Sequence, residues 1–409
     1  MIPKLILEQV IDSQKERLNQ LDTGLQRKVP DYTLFKAHAL IISGIRRCGK
    51  STLLQQINKT FTENTLFVNF EDPRLAGFDP NDFNRLKEII LSRGINILFF
   101  DEIQIVEKWE NYIRFSLDEG YRVFITGSNA SMLSRELGTK LTGRHIPKEL
   151  FPFSFNEYIA FTGSKSNVSS VEQFMQHGGF PEMIKTNMPE ILMNTFNDIV
   201  TRDIAIRYNI RNISALQKLS VWLISNVGKP ITGNSLKKLF SIGSSSSIME
   251  YLSFFSDAYL FYFVPRFSYS YKAQIINPRK LYAADNGLIE VNSLTFTPDN
   301  GRLFENMVFM HLRRSSKEIY YFAEKKECDF VISYKGKVSA IYQACWQLNQ
   351  DNLDRELSGL KEAMDFFGLN RSAIITLNQS DSFVIDGRTI QVIPFSDWVT
   401  TENSQVVKD

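Results

Sequence analysis

The chain has 409 residues, of which 43% are hydrophobic and 22% are charged, a composition typical of soluble proteins with two or three domains. No apolar run approaches the ~18 residues that a membrane-spanning helix requires, and acidic residues follow the first methionine too early for a secretory signal. The formal net charge of +2 makes no general case for nucleic-acid binding. Three scattered cysteines and four histidines without metal-ligand spacing indicate neither a disulfide framework nor a zinc site. We therefore expect a protein of the reducing cytoplasm.

Apolar patterns divide the first 160 residues into a helix and a series of strands. Residues 4–20 carry apolar positions at helical spacing and predict an amphipathic helix within an N-terminal segment at 1–38. From 39 to 160, short apolar runs alternate with helical stretches, which predicts a parallel sheet with crossover helices. The predicted strands are Ala39–Ile42, Thr65–Phe70, Ile95–Phe100 and Tyr121–Ile125.

A phosphate-binding loop follows the first of these strands. Residues 44–52 have the pattern Gly-x4-Gly-Lys-Ser-Thr and lie between a predicted strand and a predicted helix, the order that such a loop requires. Glycines let backbone N–H groups surround the phosphates, Lys50 can reach the β- and γ-phosphates, and the Ser51 hydroxyl can bind Mg²⁺. The sequence therefore predicts a nucleoside triphosphate site formed by Gly44, Ile45, Arg46, Arg47, Cys48, Gly49, Lys50, Ser51 and Thr52.

Two carboxylates end the third predicted strand, the first of them 51 residues after Lys50. Asp101 is suited to the Mg²⁺ shell, and Glu102 is suited to orient and deprotonate an attacking water. Because nucleotide binding alone needs no water-activating carboxylate, the adjacent pair indicates hydrolysis.

Further polar residues follow the fourth predicted strand. Ser128 or Asn129 can contact the γ-phosphate or the water at the carboxyl edge of the sheet, or can simply form a turn. Arg144 can neutralise transition-state charge in its own chain or in a neighbouring subunit, or can form a structural salt bridge. Arg46 and Arg47 can contact phosphate or nucleic acid, or can face solvent.

The pattern from 171 to 260 is almost entirely helical. Near its end, a helix, a turn, a second helix and a strand are predicted at 231–240, 241–244, 245–255 and 259–264. This order fits a winged helix-turn-helix, or two ordinary packed helices and a strand. Residues 229–280 include seven lysines or arginines against two acidic residues, with aromatic residues between them. Such a pattern is typical of a nucleic-acid-binding surface, and also of a solvated basic face.

Beyond residue 300 strands and helices alternate again, which predicts a second α/β domain. Helices are predicted at 302–314 and 353–367, and strands at 319–323, 328–334, 338–344, 372–377 and 390–393.

As a set, these motifs resemble the AAA-type ATPases of bacteria and archaea. More specifically, they resemble the branch in which the ATPase core is joined to a C-terminal domain of uncharacterised function. The segments that carry the resemblance lie at 44–51, 70–72, 101–104, 109–110, 126–128, 141–144 and 150–157, and further segments extend it over most of the chain. The resemblance implies ATP and Mg²⁺ as cofactors. The domains that it implies are a P-loop ATPase domain at 39–160, a helical lid or linker at 161–212, a winged-helix domain at 213–300 and a domain at 301–409 similar to PD-(D/E)xK nucleases.

The nuclease-like pattern is incomplete in this chain. In that pattern a helix Glu, a strand Asp and a Glu-x-Lys cluster hold the metal and activate water. Glu305 and Asp329 match the first two positions, but Gln343 and Cys345 stand where Glu and Lys are expected. A neutral amide is a weak ligand for a hard cation, and a thiol cannot replace an ammonium that stabilises developing charge. The lysines near enough in sequence to serve as substitutes are Lys325 and Lys326.

The sequence as a whole predicts an α/β protein that binds and hydrolyses ATP as a switch or motor. Its winged-helix and C-terminal domains would act on DNA or on a protein partner, without a membrane, and a homo-oligomer is compatible with this function. An ATP-gated nuclease is one alternative, which the incomplete pattern disfavours. A scaffold that binds ATP without turnover is the other, which Glu102 disfavours.

Overall fold

The computed structural model describes residues 1–29, 37–129, 141, 143–240, 244–295 and 299–400. The chain divides into two compact units. The first contains the described residues up to Phe151 together with Asp257–Tyr259, and the second contains those from Pro152 to Ser256 and from Leu260 onward. The five-part division predicted from the sequence is finer than these units and stays a prediction.

The first unit is built on a five-stranded sheet. Its strands are β1 (Ala39–Ser43), β2 (Thr65–Asn69), β3 (Ile97–Asp101), β4 (Arg122–Gly127) and β5 (His145–Glu149). They are all parallel and lie in the order β2-β3-β4-β1-β5. β1 and β3 are buried along their whole length, as expected for a parallel sheet that helices cover. The predicted parallel sheet and its four predicted strands are confirmed.

The fifth strand was not predicted from the apolar pattern. β5 lies at the edge of the sheet, is mostly half-buried and contains Pro147. Proline cannot donate a ladder hydrogen bond, so within sheets it is found mainly in edge strands. The sequence of β5 therefore lacks the continuous apolar run that identifies the central strands.

Four helices surround this sheet in the described part of the first unit. They are α1 (Lys4–Gln20), α2 (Lys50–Asn58), α3 (Asp82–Ser92) and α4 (Trp109–Asp118), and short 3₁₀ turns lie at Pro73–Leu75 and Ile103–Ile105. The bounds of α1 are those predicted from its apolar spacing. Its buried face consists of Leu7, Val10, Ile11 and Gln14.

The second unit begins with a helical region, as predicted. Its helices are α5 (Phe155–Thr162), α6 (Val168–His177), α7 (Pro181–Thr186), α8 (Pro189–Asp198), which continues into a π-helical segment at Ile199–Ile206, α9 (Ile213–Ile224), α10 (Gly233–Phe240) and α11 (Ser245–Asp257). Of the turn predicted between α10 and α11, only Ser244 lies within the described residues.

The second unit also contains a small antiparallel sheet, whose first strand lies between α9 and α10. It consists of β6 (Pro230–Ile231), β7 (Phe261–Pro265) and β8 (Arg279–Ala283), in the order β6-β8-β7. A short helix, α12 (Tyr271–Ile276), connects β7 to β8, and α13 (Asn286–Asn292) follows β8. The two predicted helices and the first strand of the winged-helix pattern are thus present, and the sequence pattern missed β6 and β8.

The rest of the second unit contains a mixed sheet of six strands. They are β9 (Ile319–Ala323), β10 (Glu327–Tyr334), β11 (Lys337–Ala344), β12 (Arg371–Thr376), β13 (Asp381–Ile385) and β14 (Arg388–Pro394). Their order is β13-β14-β12-β11-β10-β9. The helices of this region are α14 (Asn300–Ser315), α15 (Gln350–Phe367) and α16 (Phe395–Thr400). The predicted second α/β region is confirmed, although β13 and α16 were not predicted.

Within the described residues, no helix combines the length and the apolar character needed to cross a bilayer. The fold class is α/β, with a P-loop type of parallel sheet and a C-terminal mixed sheet, as the sequence predicts.

Candidate nucleotide site

The phosphate-binding loop runs from the end of β1 to the start of α2. Gly44 has a φ of +156°, and a Cβ atom at this position would lie 2.0 Å from the backbone oxygen of Leu150. Gly49 has a φ of +99° and immediately precedes the helix. Because glycine alone adopts such φ values without strain, the two glycines determine how tightly the loop curls. The predicted strand, loop and helix order is confirmed.

The side chain of Lys50 lies inside this loop. Its Nζ donates hydrogen bonds to the backbone oxygens of Gly44 and Ile45, both at 3.1 Å. It also lies 3.8 Å from Oε1 of Glu102. The ammonium is buried, so its charge acts more strongly on the loop and on the neighbouring carboxylate than it would in water. Lys50 and Glu102, which the sequence proposed as catalytic partners, are therefore brought together.

Asp101 ends the buried strand β3 and has one unused carboxylate oxygen. The Thr126 hydroxyl donates a hydrogen bond to Oδ1, whereas Oδ2 is buried and has no hydrogen-bond partner among the described residues. Burial and the neighbouring charge of Glu102 raise the pKa of Asp101 to about 6, against the lowering effects of Thr126, Ser51 and Lys50. An orphaned buried oxygen near a hydroxyl fits a hard divalent cation. Ser51 and Asp101 therefore fit the Mg²⁺ role that the sequence assigned to them.

Glu102 is held in an unusual backbone conformation. Its φ of +52° lies in the left-handed region, which is costly for a residue other than glycine and is concentrated at functional sites. Its N–H donates a 3.1 Å hydrogen bond to Oγ1 of Thr126, and the Gln104 side-chain amide donates to Oε2. Thr126 and Gln104 therefore position both carboxylates. Sequence reasoning included them only within the family motifs, without assigning either a role.

Ser128 and Asn129 follow β4 beside the loop. Gly127, the last residue of β4, pairs with Ser43, the last residue of β1. Both Ser128 and Asn129 are buried. They therefore lie at the carboxyl edge of the sheet, as expected, and their contact with phosphate or water stays a prediction.

A buried arginine, Arg27, donates hydrogen bonds to the backbone of the loop. Sequence analysis did not identify it. The Arg27 guanidinium donates to the backbone oxygens of Cys48 at 3.2 Å and Phe151 at 2.9 Å. Cys48 is fully buried, and its Sγ donates to the Leu150 oxygen at 3.3 Å. Burial raises the pKa of the Cys48 thiol, so the thiol stays neutral. Cys48 therefore serves as a packing residue of the loop. No local motif identifies Arg27, because its partners are distant in sequence.

The remaining residues of the loop lie in different environments. Arg46 forms a 3.0 Å ion pair with Glu71, and Arg47 adopts a φ of +63°. Ile45 is buried, and Thr52 is half-buried in the first turns of α2. Contact of Arg46 and Arg47 with phosphate or nucleic acid stays a prediction.

Arg144 lies at the opposite edge of the sheet from the loop. Its backbone oxygen accepts a hydrogen bond from the N–H of Ala39, the first residue of β1, whereas the loop follows the last residue. The length of β1 separates the two edges by about 13 Å. The Arg144 guanidinium instead pairs with Asp118 at 2.8 Å. A catalytic role for Arg144 toward the nucleotide of its own chain is therefore wrong, and the salt-bridge alternative describes it within this chain.

The nuclease-like residues are only partly brought together in the second unit. Glu305 and Asp329 approach each other, and Gln343 lies beside them with its Oε1 accepting from the Asp329 N–H at 3.1 Å. Cys345 is buried, and its Sγ accepts a 3.6 Å hydrogen bond from the Asn352 amide. No group of three or more acidic, cysteine or histidine side chains in the described residues is arranged to hold a metal ion.

The expected substitute lysines are not part of this cluster. The backbone N–H groups of Lys325 and Lys326 donate to the Glu362 carboxylate, and both residues are exposed. The ammonium beside Glu305 and Asp329 belongs to Lys280, which lies on β8 and about fifty residues earlier in the sequence than Asp329. The prediction of Lys325 or Lys326 is therefore wrong, because proximity in sequence does not determine which lysine the sheets bring to the carboxylates.

Three segments of the chain match known family models. Residues 36–159 match an AAA domain, and residues 168–298 and 300–398 match two domains of unknown function. An uncharacterized protein of Methanocaldococcus jannaschii is 34% identical to this chain, with 97% of this chain and 96% of the archaeal protein covered. The chain belongs to the same family as this archaeal protein. An uncharacterized protein of Haemophilus influenzae is 28% identical, with 94% and 98% covered.

The AAA match at 36–159 contains every nucleotide-site residue that the sequence predicted, whereas Arg27 lies outside it. The resemblance to AAA-type ATPases is therefore confirmed for the first domain. The C-terminal segment matches a domain of unknown function, so its likeness to nucleases stays a prediction.

Solved structures with some similarity include a mutant RuvB of Thermotoga maritima, with a TM-score of 0.29, 16% identity, and 65% of this chain and 91% of that chain covered. They also include Cdc6p of Pyrobaculum aerophilum, with a TM-score of 0.27, 12% identity, and 62% and 88% covered. TM-scores this low do not establish a shared overall fold.

Proposed function

We propose that the protein is a Mg²⁺-dependent ATPase that works as a nucleotide-driven switch or motor. The observation that carries this proposal is the convergence of three charged side chains at the carboxyl edge of the parallel sheet. Lys50 lies within 3.8 Å of Glu102, and Asp101 directly precedes Glu102 with an oxygen free of hydrogen bonds among the described residues. A phosphate-binding loop, a cation ligand and a general base are the parts that phosphoryl transfer to water requires.

The proposed roles follow from these positions. Lys50 exchanges its two backbone oxygen partners for phosphate oxygens, and the exposed Ser51 hydroxyl and the orphaned Asp101 oxygen hold Mg²⁺. When bound, the Mg²⁺ ion neutralises charge that develops on the phosphates. Glu102, held by Gln104 and Thr126, orients the attacking water and takes its proton. Ser128 or Asn129 contacts the γ-phosphate or this water.

An ATPase assay on two variants tests this function. Lys50→Ala is expected to abolish both ATP binding and turnover, since it removes the ammonium of the loop. Glu102→Gln is expected to keep ATP binding while turnover falls by about 10²-fold or more. Arg144→Ala keeps the loop intact and serves as a control. The same variant tests whether Arg144 acts on the nucleotide of a neighbouring subunit. An ATPase rate that falls only under conditions where subunits associate supports such a role. Turnover that survives Lys50→Ala in pure protein would refute the proposal.

Features of the second unit indicate which kind of partner the ATPase acts on. Helices α10 and α11, followed by the antiparallel strands β7 and β8, have the element order of a winged helix. Lys237 and Lys238 are exposed at the end of α10, within the basic segment at 229–280. We therefore favour DNA as the partner over a protein, in the cytoplasm and with a homo-oligomer as a compatible assembly.

The two alternatives receive less support. A nuclease needs a metal held by carboxylates, whereas Gln343 supplies an amide and an ammonium occupies the space between Glu305 and Asp329. A scaffold without turnover does not explain why Glu102 is held in a strained conformation beside Lys50.

A further inference from the structure

One lysine of the second unit is buried among carboxylates. Lys280, on β8, has a side chain that is only 3% exposed. Its Nζ lies 3.2 Å from Oε1 of Glu305, 2.5 Å from Oε1 of Glu327 and 2.8 Å from Oδ1 of Asp329. An ammonium has three donors, and this one meets three carboxylates. It donates hydrogen bonds to Glu305 and Asp329 and forms an ion pair with Glu327, whose side chain is half exposed.

The carboxylates come from separate elements and are held by further groups. Glu305 lies on α14, whereas Glu327 and Asp329 lie on β10. The Tyr282 hydroxyl donates to Oε1 of Glu305 at 2.6 Å, and Oδ2 of Asp329 accepts from the Ala344 N–H at 3.1 Å. Glu305 and Asp329 are therefore held around the ammonium of Lys280, whereas Glu327 reaches it from a half-exposed position.

Electrostatics keep this lysine charged. Burial alone would lower the pKa of Lys280, but the charges of Asp329 and Glu305 outweigh burial and raise it well above the ordinary value. Burial raises the pKa of Glu305 to about 7, while Lys280 acts to lower it. Two largely buried carboxylates, Glu305 and Asp329, would be strongly unfavourable side by side without a cation. The cluster therefore needs a positive charge, and this chain provides its own.

We propose that the Lys280 ammonium takes the place of a divalent cation, so that Glu305 and Asp329, with the half-exposed Glu327 beside them, form a structural centre that binds no metal. Carboxylate oxygens are the ligands that hard cations prefer, but with the ammonium in place no group of three or more acidic side chains in the described residues is arranged to hold a metal ion. An ammonium beside these carboxylates excludes a second cation, because like charges at this distance repel strongly in a buried site. The centre connects β8 to α14 and β10. It does not depend on the proposed ATPase function.

The proposal predicts that removing the lysine opens a metal site. Mn²⁺ binding to nucleotide-free, full-length protein can be measured by calorimetry and by the electron paramagnetic resonance of free Mn²⁺. The wild type and Lys325→Ala, which removes an exposed lysine near the cluster, should show the same Mn²⁺ binding. Lys280→Ala should bind one Mn²⁺ more per chain than the wild type does. Adding Asp329→Asn to Lys280→Ala should abolish the additional binding.

Two results would overturn the proposal. The first is Mn²⁺ binding by the wild type that disappears in Asp329→Asn. The second is a folded Lys280→Ala protein, judged by circular dichroism, that gains no Mn²⁺ site. Should Lys280→Ala fail to fold, refolding it with Mn²⁺ or with an equal ionic strength of K⁺ decides the matter. Recovery with Mn²⁺ alone supports the proposal, and equal failure or equal recovery in both salts contradicts it.

Discussion

Two residues of the nucleotide site adopt backbone conformations that only their surroundings explain. Gly44 approaches the Leu150 carbonyl so closely that no side chain fits. Glu102 adopts a left-handed conformation although it has a side chain, and this costs roughly 1–2 kcal/mol. Hydrogen bonds to Thr126 and Gln104 offset that cost. The folded structure therefore contributes stability to hold the site in position.

The Gly44 contact leads to a prediction about stability. Gly44→Ala is expected to lower the free energy of unfolding by about 3 kcal/mol or more and to abolish ATP binding, because the Leu150 backbone would have to move. Gly77→Ala is a matched control in the same unit, since Gly77 also has a positive φ, +83°, but a Cβ there meets no atom within 4 Å. It should cost only about 1 kcal/mol and leave ATP binding intact. Chemical denaturation and nucleotide titration measure both effects, and equal losses in the two variants would contradict the steric explanation.

At the scale of elements, side chains complete contacts that the backbone leaves open. β2 is an edge strand, and the Gln14 side chain of α1 pairs with it in both directions. Its Oε1 accepts from the Asn69 N–H at 2.9 Å, and its Nε2 donates to the Asn69 oxygen at 3.2 Å. An unpaired strand edge favours association with other chains. α1 therefore protects the end of this edge as well as packing on the sheet.

The packing of α14 against α16 makes the second unit sensitive to acid. The ring of His311, on α14, lies 4.5 Å from the ring of Trp398 and 6.2 Å from that of Phe395, both on α16. Burial, together with the charge of Arg314, lowers the pKa of His311 to about 3. The unfolded chain therefore binds more protons than the folded chain between pH 3 and 6.5. This contribution to stability is complete above about pH 6.5 and is lost as the pH falls.

The variant His311→Gln tests this pH dependence. It should reduce the loss of stability between pH 7 and pH 5, where the wild-type imidazole contributes at most about 1.4 kcal/mol per pH unit. The residue is only half-buried, so we expect a smaller slope than this limit. Denaturation midpoints at pH 7, 6 and 5 measure the difference between the two proteins. Parallel pH profiles would show that His311 is not the titrating group.

At the scale of the whole molecule, the proposed functions are assigned to two different compact units. The first carries the nucleotide site, and the second carries the basic segment and the Lys280 centre. The near-zero net charge of the chain hides the local excess of lysine and arginine at 229–280. Nucleic-acid binding must therefore be tested on local charges and not on the charge of the whole protein.

Salt dependence distinguishes DNA from a protein partner. DNA affinity, and any increase of the ATPase rate that DNA causes, should both fall as salt rises from about 50 to 200 mM, since contacts to DNA phosphates release counterions. Replacing Lys237 and Lys238 with alanine should weaken binding and reduce the slope of log affinity against log salt by up to about 2. Replacing Lys325 and Lys326 removes the same charge from another exposed site and should have a smaller effect. Absence of binding to single- and double-stranded DNA at both salt concentrations would refute a DNA partner and favour a protein.

The sequence by itself determined the features that depend on neighbouring residues. The strand, loop and helix order around Lys50, the carboxylate pair at the end of β3 and most strands and helices follow from short patterns, because local conformation and burial act over a few residues. Only the tertiary structure decided which distant residues meet. It placed Arg144 at the far edge of the sheet, brought Thr126 to Asp101, and selected Lys280 over Lys325 and Lys326 as the cation of the carboxylate cluster. Strand order and register determine which distant residues come into contact, and residue patterns along the chain specify neither strand order nor register.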